Sequence, residues 1–175
     1  MISAIRFLIY KLRYRSKVFS GASLGMVGRK TKLCVKGKDS SLKLGRRPIL
    51  SDHVELQSRG ILQIGDNFCI NRFSRIVSFK KIEIGHNVTI AQFVTILDHD
   101  HAYEFSNGKL VLNGYSQEPI KIGSNVWIGD KVTVLKGVTI GDNVIIGANS
   151  LVNKNVPGNC LAAGNPCRVI RRLED

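Results

Sequence analysis

The sequence predicts an all-β chain folded as a parallel β-helix, in which short strands wind into stacked three-sided coils. Three observations carry this. Aliphatic residues return every six positions through Leu44, Leu50, Leu56 and Leu62, then Ile64, Ile70, Ile76 and Ile82, then Ile84, Ile90 and Ile96. After an interruption the same period runs through Ile122, Ile128, Val134, Ile140, Ile146 and Val152. Glycines that follow an aliphatic residue are spaced by 20 (Gly45, Gly65, Gly85) and later by 18 (Gly123, Gly141).

A period of six is neither a helical period nor a plain hairpin alternation, and such repeats fix an architecture before any local element does. It fits short strands joined by tight turns, each directing one aliphatic side chain inward. Four positions later comes a small or β-branched residue, as at Val88, Val94, Val126, Val132, Val138, Val144, Ser150 and Val156. Gly or Asn near the corners supplies the backbone angles a corner needs. Three strands make a coil of 18 residues, and stacked coils pair in parallel about 4.8 Å apart. Periodicity leaves the hand open, although ordinary crossovers favour right.

In chain order, residues 1–43 form a basic segment that is partly helical. The first 47 residues hold 13 of the 26 Lys and Arg and one acid, Asp39, and so carry +12 of the formal charge of +13. Ile2, Ile5, Leu8, Ile9 and Leu12 fall on one helical stripe, flanked by Arg6, Arg13 and Lys17 on one side and Lys11 and Arg15 on the other. Such a segment, residues 1–20, suits peripheral contact with an anionic membrane surface, or packing on its own domain or a neighbouring subunit. The apolar run from Ile2 to Leu12 is too short and too charged to span a bilayer and has no evident cleavage site after it. Basic charge without a reading motif is only an electrostatic footprint, so nucleic acid is not an expected partner.

Residues 44–157 form the β-helix, in five or six coils. The spacing from Gly85 to Gly123 is 38, and the apolar register holds through Ile96 and resumes at Ile122, so the surplus leaves the prism as a loop at about 99–118. That loop begins at the tetrapeptide Asp98, His99, Asp100, His101, and a long insert in a tight repeat is usually functional. Residues 158–175 change composition and form a C-terminal cap over the exposed end of the solenoid. Cys34, Cys69, Cys160 and Cys167 make no CxxC pair, disulfide framework or zinc spacing, which fits a reducing cytoplasm and predicts no metal.

The hexads IGSNVW, IGDKVT, IGDNVI and IGANSL, followed by NKNVPGNCLAAGNPCRVIR, resemble the hexapeptide-repeat acyltransferases. The likeness covers about residues 60–172 and is nearest to the maltose and galactoside O-acetyltransferases and their relatives in polysaccharide gene clusters. It implies a left-handed parallel β-helix, a homotrimer, and transfer of an acetyl group from acetyl-CoA, the CoA thioester lying in a groove between two subunits. It also implies that a histidine at the base of the protruding loop is the general base. The matching position is His101, with His99 as the close alternative. A neutral imidazole can take the proton of a sugar hydroxyl as the oxygen attacks the thioester, so no acyl-enzyme is needed. Asp98 and Asp100 could orient the ring or support imidazolium.

By the same resemblance Asn71 contacts the acceptor and Trp127 lies near the CoA channel. Ala148 would offer backbone contact to CoA, and Lys154, Arg168 and Arg171 would meet its phosphates. The expected function is acetylation of a sugar hydroxyl in lipopolysaccharide, capsule or exopolysaccharide biosynthesis, at the cytoplasmic face of the inner membrane. Two alternatives remain open: a xenobiotic or other small-molecule acceptor, and a zinc carbonic anhydrase. The second has only His53, His86, His99 and His101 to draw on, at spacings unlike that family's ligands. The leader has no match to the acceptor-pocket region of the maltose and galactoside enzymes, so the resemblance does not identify the sugar.

Overall fold

The computed structural model describes residues 2–18 and 25–174, and the side chains of Ile2, Arg13, Arg15 and Lys17 fall outside the described set. One helix precedes a parallel β-solenoid whose strands stack into three sheets of eight, six and five strands. These sheets are the first, second and third faces of a prism, numbered in the order in which the chain meets them. The corner after each face takes that face's number.

The six-residue period is the inside of this prism. On the first face Val27, Leu50, Ile70, Ile90, Ile128, Ile146 and Ala162 are stacked in register. Leu33, Leu56, Ile76, Ile96, Val134 and Val152 do the same on the second. Leu44, Ile64, Ile84, Ile122 and Ile140 line the third. Every one of these residues is buried, as are Val88, Val94, Val126, Val132, Val138, Val144, Ser150 and Val156 of the second series.

The regular repeat begins at Leu44, but the solenoid begins one coil earlier, with parallel strands at Met26–Val27, Lys32–Val35 and Ser41–Leu44. The period is hidden there because the second corner of that coil is longer, at Lys36 to Ser40. The 20-residue coils also place their two extra residues at the second corner, where Ile76 and Ile84 stand eight apart instead of six. At the third corner Gly65, Gly85 and Gly123 are stacked so closely that a Cβ on Gly65 would lie 2.6 Å from the Gly85 carbonyl oxygen.

The helix Ile2–Val18 packs on the first coil, against Met26–Val27 and Ser41–Leu44. Its inward residues are Phe7, which is buried, and Tyr10, whose hydroxyl donates to the Thr31 carbonyl at 2.6 Å. Ile5, Leu8, Ile9 and Leu12 of the expected apolar stripe therefore face outward and are exposed. No described helix is long and apolar enough to cross a membrane.

The expected loop at 99–118 is a β-hairpin, His99–Ser106 paired antiparallel with Lys109–Gln117. Its turn residues Asn107 and Gly108 both have left-handed backbone angles, φ 51° and 72°, as a two-residue type I′ turn requires. The hairpin leaves the prism at the second corner of the fourth coil and exposes Tyr103, Phe105, Leu110 and Leu112. At the other end, Cys160–Ala163 adds a last parallel rung to the first face, and Arg168–Arg172 covers it antiparallel.

Candidate active site

Asp98 is the last residue before the hairpin and is fully buried. Ser78, twenty residues earlier, is the inward residue directly beneath it and donates its hydroxyl to Asp98 Oδ2 at 3.0 Å. The backbone N–H groups of Phe79, Lys80 and Lys81 donate to the same carboxylate at 2.7, 2.9 and 2.8 Å. Asp98 thus holds the widened second corner of the coil below, where three backbone donors would otherwise lack partners.

The two histidines differ in surroundings. His99 is the top of a column with a 20-residue period. The Arg59 guanidinium lies 4.6 Å from the Phe79 ring centroid, and Phe79 stacks on His99 at 3.6 Å with planes 8° apart. His99 Nδ1 faces Asp98 Oδ1 at 3.3 Å, and only 13% of the His99 side chain is exposed. His101 is exposed, and its ring lies 4.8 Å from that of Tyr115 on the returning strand. Tyr115 also meets Phe79 and His99 edge-on, so one phenol ring braces both imidazoles.

Of the two carboxylates expected to orient the catalytic ring, neither contacts His101. Asp98 meets His99, and Asp100 accepts from Lys136 Nζ at 2.6 Å. Lys136 lies in the next coil, directly above Asp98 in the register set by Ile96 and Val134, and ties the hairpin base to the solenoid. Tyr115, Phe79, Arg59 and Lys136 were not singled out from sequence. The 20-residue column and the register of the second face were the signals that could have found them.

The remaining candidates divide among two corners, the first face and the C-terminal strand. Lys154 is exposed at the second corner, two residues past Val152 in the column that contains Asp98 and Lys136. Asn71 and Ala148 sit at the first corner, at the other end of the second face. The Asn71 side chain donates to the Ile90 carbonyl at 3.1 Å and accepts from Ser51 Oγ at 3.4 Å. Trp127 is exposed on the first face and lines a groove of about 380 Å³ with Asn87, Thr89 and Asn125. Arg168 and Arg171 are exposed on the strand that covers the C-terminal rung. A larger groove of about 540 Å³ crosses the third face over Lys43, Gln63, Glu83 and Lys121, away from the hairpin base.

The four histidines occupy all three corners, His53 the first, His86 the third, and His99 and His101 the second. Among the described residues no group of three or more His, Cys, Asp and Glu is placed to hold a metal ion. Burial pushes the thiols of Cys69, Cys160 and Cys167 up, away from the reactive thiolate.

Comparison with known proteins agrees with the fold. Residues 119–154 match the family described as bacterial transferase hexapeptide (six repeats). Galactoside O-acetyltransferase of Escherichia coli (strain K12) is 47% identical over 117 residues, 65% of this chain and 55% of that protein. The putative lipopolysaccharide biosynthesis O-acetyl transferase WbbJ of the same organism is 32% identical over 148 residues, 79% of this chain and 76% of that protein. A solved structure, a galactoside acetyltransferase in complex with coenzyme A, has a TM-score of 0.59 at 28% identity, covering 97% of this chain and 79% of that one. The chain belongs to the hexapeptide-repeat acetyltransferases. It spans a little over half the length of the galactoside enzyme.

Proposed function

We propose that this protein transfers the acetyl group of acetyl-CoA to a hydroxyl of a sugar, in the biosynthesis of lipopolysaccharide, capsule or exopolysaccharide. The observation that carries the reading is His101, an exposed imidazole at the base of the hairpin, on the edge that also carries Lys154. His101 takes the hydroxyl proton as the sugar oxygen attacks the thioester carbonyl. The tetrahedral adduct then collapses to the acetyl ester and the CoA thiolate, which recovers the proton from imidazolium. His99 suits this less well, since its ring is committed to the stack on Phe79 and to Asp98. Asp100, held by Lys136, and the ring of Tyr115 fix the hairpin base that carries His101. The raised cysteine thiols support direct attack over an acyl-cysteine.

The acceptor class rests on relatives named for galactoside and lipopolysaccharide acetylation. The CoA donor is supported by the related structure that holds coenzyme A. CoA would lie at a junction between two copies, with Lys154 of the second corner and Arg168 and Arg171 of the C-terminal strand near its phosphates. The test is thiol release from acetyl-CoA by the purified protein with a panel of sugars and small aromatic drugs. Turnover on sugars that falls by about 10² or more in His101→Ala, with the fold intact, supports the proposal. Turnover confined to drugs rejects the acceptor class, and full activity of His101→Ala rejects the base.

The helix supports a location at the cytoplasmic face of the inner membrane. Ile5, Leu8, Ile9 and Leu12 are exposed on a segment rich in Lys and Arg. An apolar face with flanking cations binds anionic lipid. The double variant Leu8→Glu with Leu12→Glu should sediment less with phosphatidylglycerol vesicles than the parent protein does. Equal sedimentation would remove the membrane from the proposal.

A further inference from the structure

We propose that the first corner is a track for an anionic glycan chain, in which the stacked rings of His53, Phe73 and Phe93 take sugar faces and neighbouring cations take the glycan's acidic groups. This deepens the sugar-acceptor reading above and rests on it for the link to acetyl transfer.

The first argument is conformational. Each coil puts one residue of its third corner in the left-handed backbone region, and there the chain uses Arg47 in the first coil and Asn67, Asn87, Asn125, Asn143 and Asn159 in those that follow. Asparagine tolerates that region, and these five side chains bond in series at 2.7 to 3.0 Å. The equivalent positions of the first corner read Lys30, His53, Phe73, Phe93, Lys131 and Asn149, all with φ between 54° and 60°. A bulky aromatic in this region is an outlier, and strain of this kind persists where function needs it. The third corner displays a residue that meets the same backbone requirement without the strain.

The second argument is what the strained residues present. His53 stacks on Phe73 at 4.9 Å and Phe73 on Phe93 at 5.1 Å, with planes 26° and 11° apart. The result is a ribbon with one ring per coil. It does not serve the core, because Phe73 and Phe93 are about half exposed. Aromatic surface open to water is the surface on which the apolar face of a sugar ring packs.

The third argument is charge and place. A groove of about 410 Å³ beside the ribbon is lined by Lys30, Lys32, His53, Glu55, Phe73 and Arg75, so cations outnumber the single carboxylate. Carboxylates or phosphates on a saccharide complement that surface. The middle ring of the ribbon, Phe73, stands two residues after Asn71, the candidate acceptor contact, and the ribbon spans three coils. A track of that length suits a chain of sugars better than a single one.

The test is calorimetric titration of the full chain, without CoA, with a galacturonic acid hexamer and with maltohexaose as the neutral control. The parent protein should bind the acidic hexamer more tightly, and less so as salt is raised. The double variant Phe73→Asn with Phe93→Asn should lose about tenfold or more in affinity while melting no lower than the parent, because asparagine relieves the backbone. Undiminished binding by that variant overturns the track, and equal binding of maltohexaose overturns the anionic part. A variant that binds the hexamer normally but changes oligomeric state reassigns the ribbon to contacts between copies. Because binding is read without acetyl transfer, an inactive protein that still binds leaves the track standing, and an active one that does not bind leaves the transferase reading standing.

Discussion

Asp98 and His101 stand three residues apart, yet substitution should affect them in opposite ways. Asp98→Ala takes the acceptor from three backbone N–H groups in a part-buried corner and leaves the Ser78 hydroxyl with the Ile61 carbonyl alone. Unsatisfied buried donors cost about 1 to 3 kcal/mol each, so a loss of about 3 kcal/mol or more is expected in denaturant unfolding. His101→Ala removes an exposed ring and should change stability by no more than about 0.5 kcal/mol. The two variants therefore separate loss of activity through unfolding from loss through chemistry. An Asp98→Ala protein as stable as its parent would mean that water replaces the carboxylate. The tetrapeptide was conspicuous in the sequence, but this division of labour was not, because the partners of Asp98 lie 17 to 20 residues earlier.

At the scale of elements, the rungs were legible because a period of six in Ile, Leu and Val admits few other folds. The hairpin was legible in part. Asn107 and Gly108 between runs of alternating residues are a turn signal, but strands exposed along most of their length leave no burial pattern to extend it. The helix misled in its facing, since the aliphatic stripe drew attention while Phe7 and Tyr10 made the anchor. The third corner carries a pH prediction of its own. Arg46 donates to Asp66 from its side chain at 2.8 and 2.6 Å and from its backbone at 2.7 Å. These contacts, the side-chain hydrogen bond foremost, hold the Asp66 carboxyl below its usual range. A depressed carboxylate stabilises the fold above its unfolded pKa and ceases to do so as pH falls through the folded value. Asp66→Asn should therefore lower Tm slightly at pH 7, and the gap should close on acidification below about 3.9, the unperturbed aspartate value. Because the Arg46 side of the pair is exposed, the gap should also shrink in high salt. A gap independent of pH would assign the effect to packing.

For the molecule as a whole, the separation of candidate residues between corners is the fact that any mechanism must meet. His101 and Lys154 lie at the second corner, Asn71 and Ala148 at the first, and a rigid strand of the second face stands between them. One protomer cannot fold these corners together, but a ring of copies can set the second corner of each beside the first corner of the next, with the His53, Phe73 and Phe93 ribbon leading into the junction. The hairpin, with Tyr103, Phe105, Leu110 and Leu112 exposed, extends from the second corner as an arm able to reach such a neighbour. We propose that this ring of copies is the homotrimer that the family resemblance implies, with three sites at its junctions. Mixing His101→Ala and Asn71→Ala protomers tests this directly. Each variant alone should be nearly inactive, whereas random 1:1 mixed rings place an intact second corner against an intact first corner at about one junction in four. Co-refolded protein should therefore regain about a quarter of parental turnover, measured as thiol release. If the mixture stays as inactive as its components, each site is built within a single chain and the junction model is wrong.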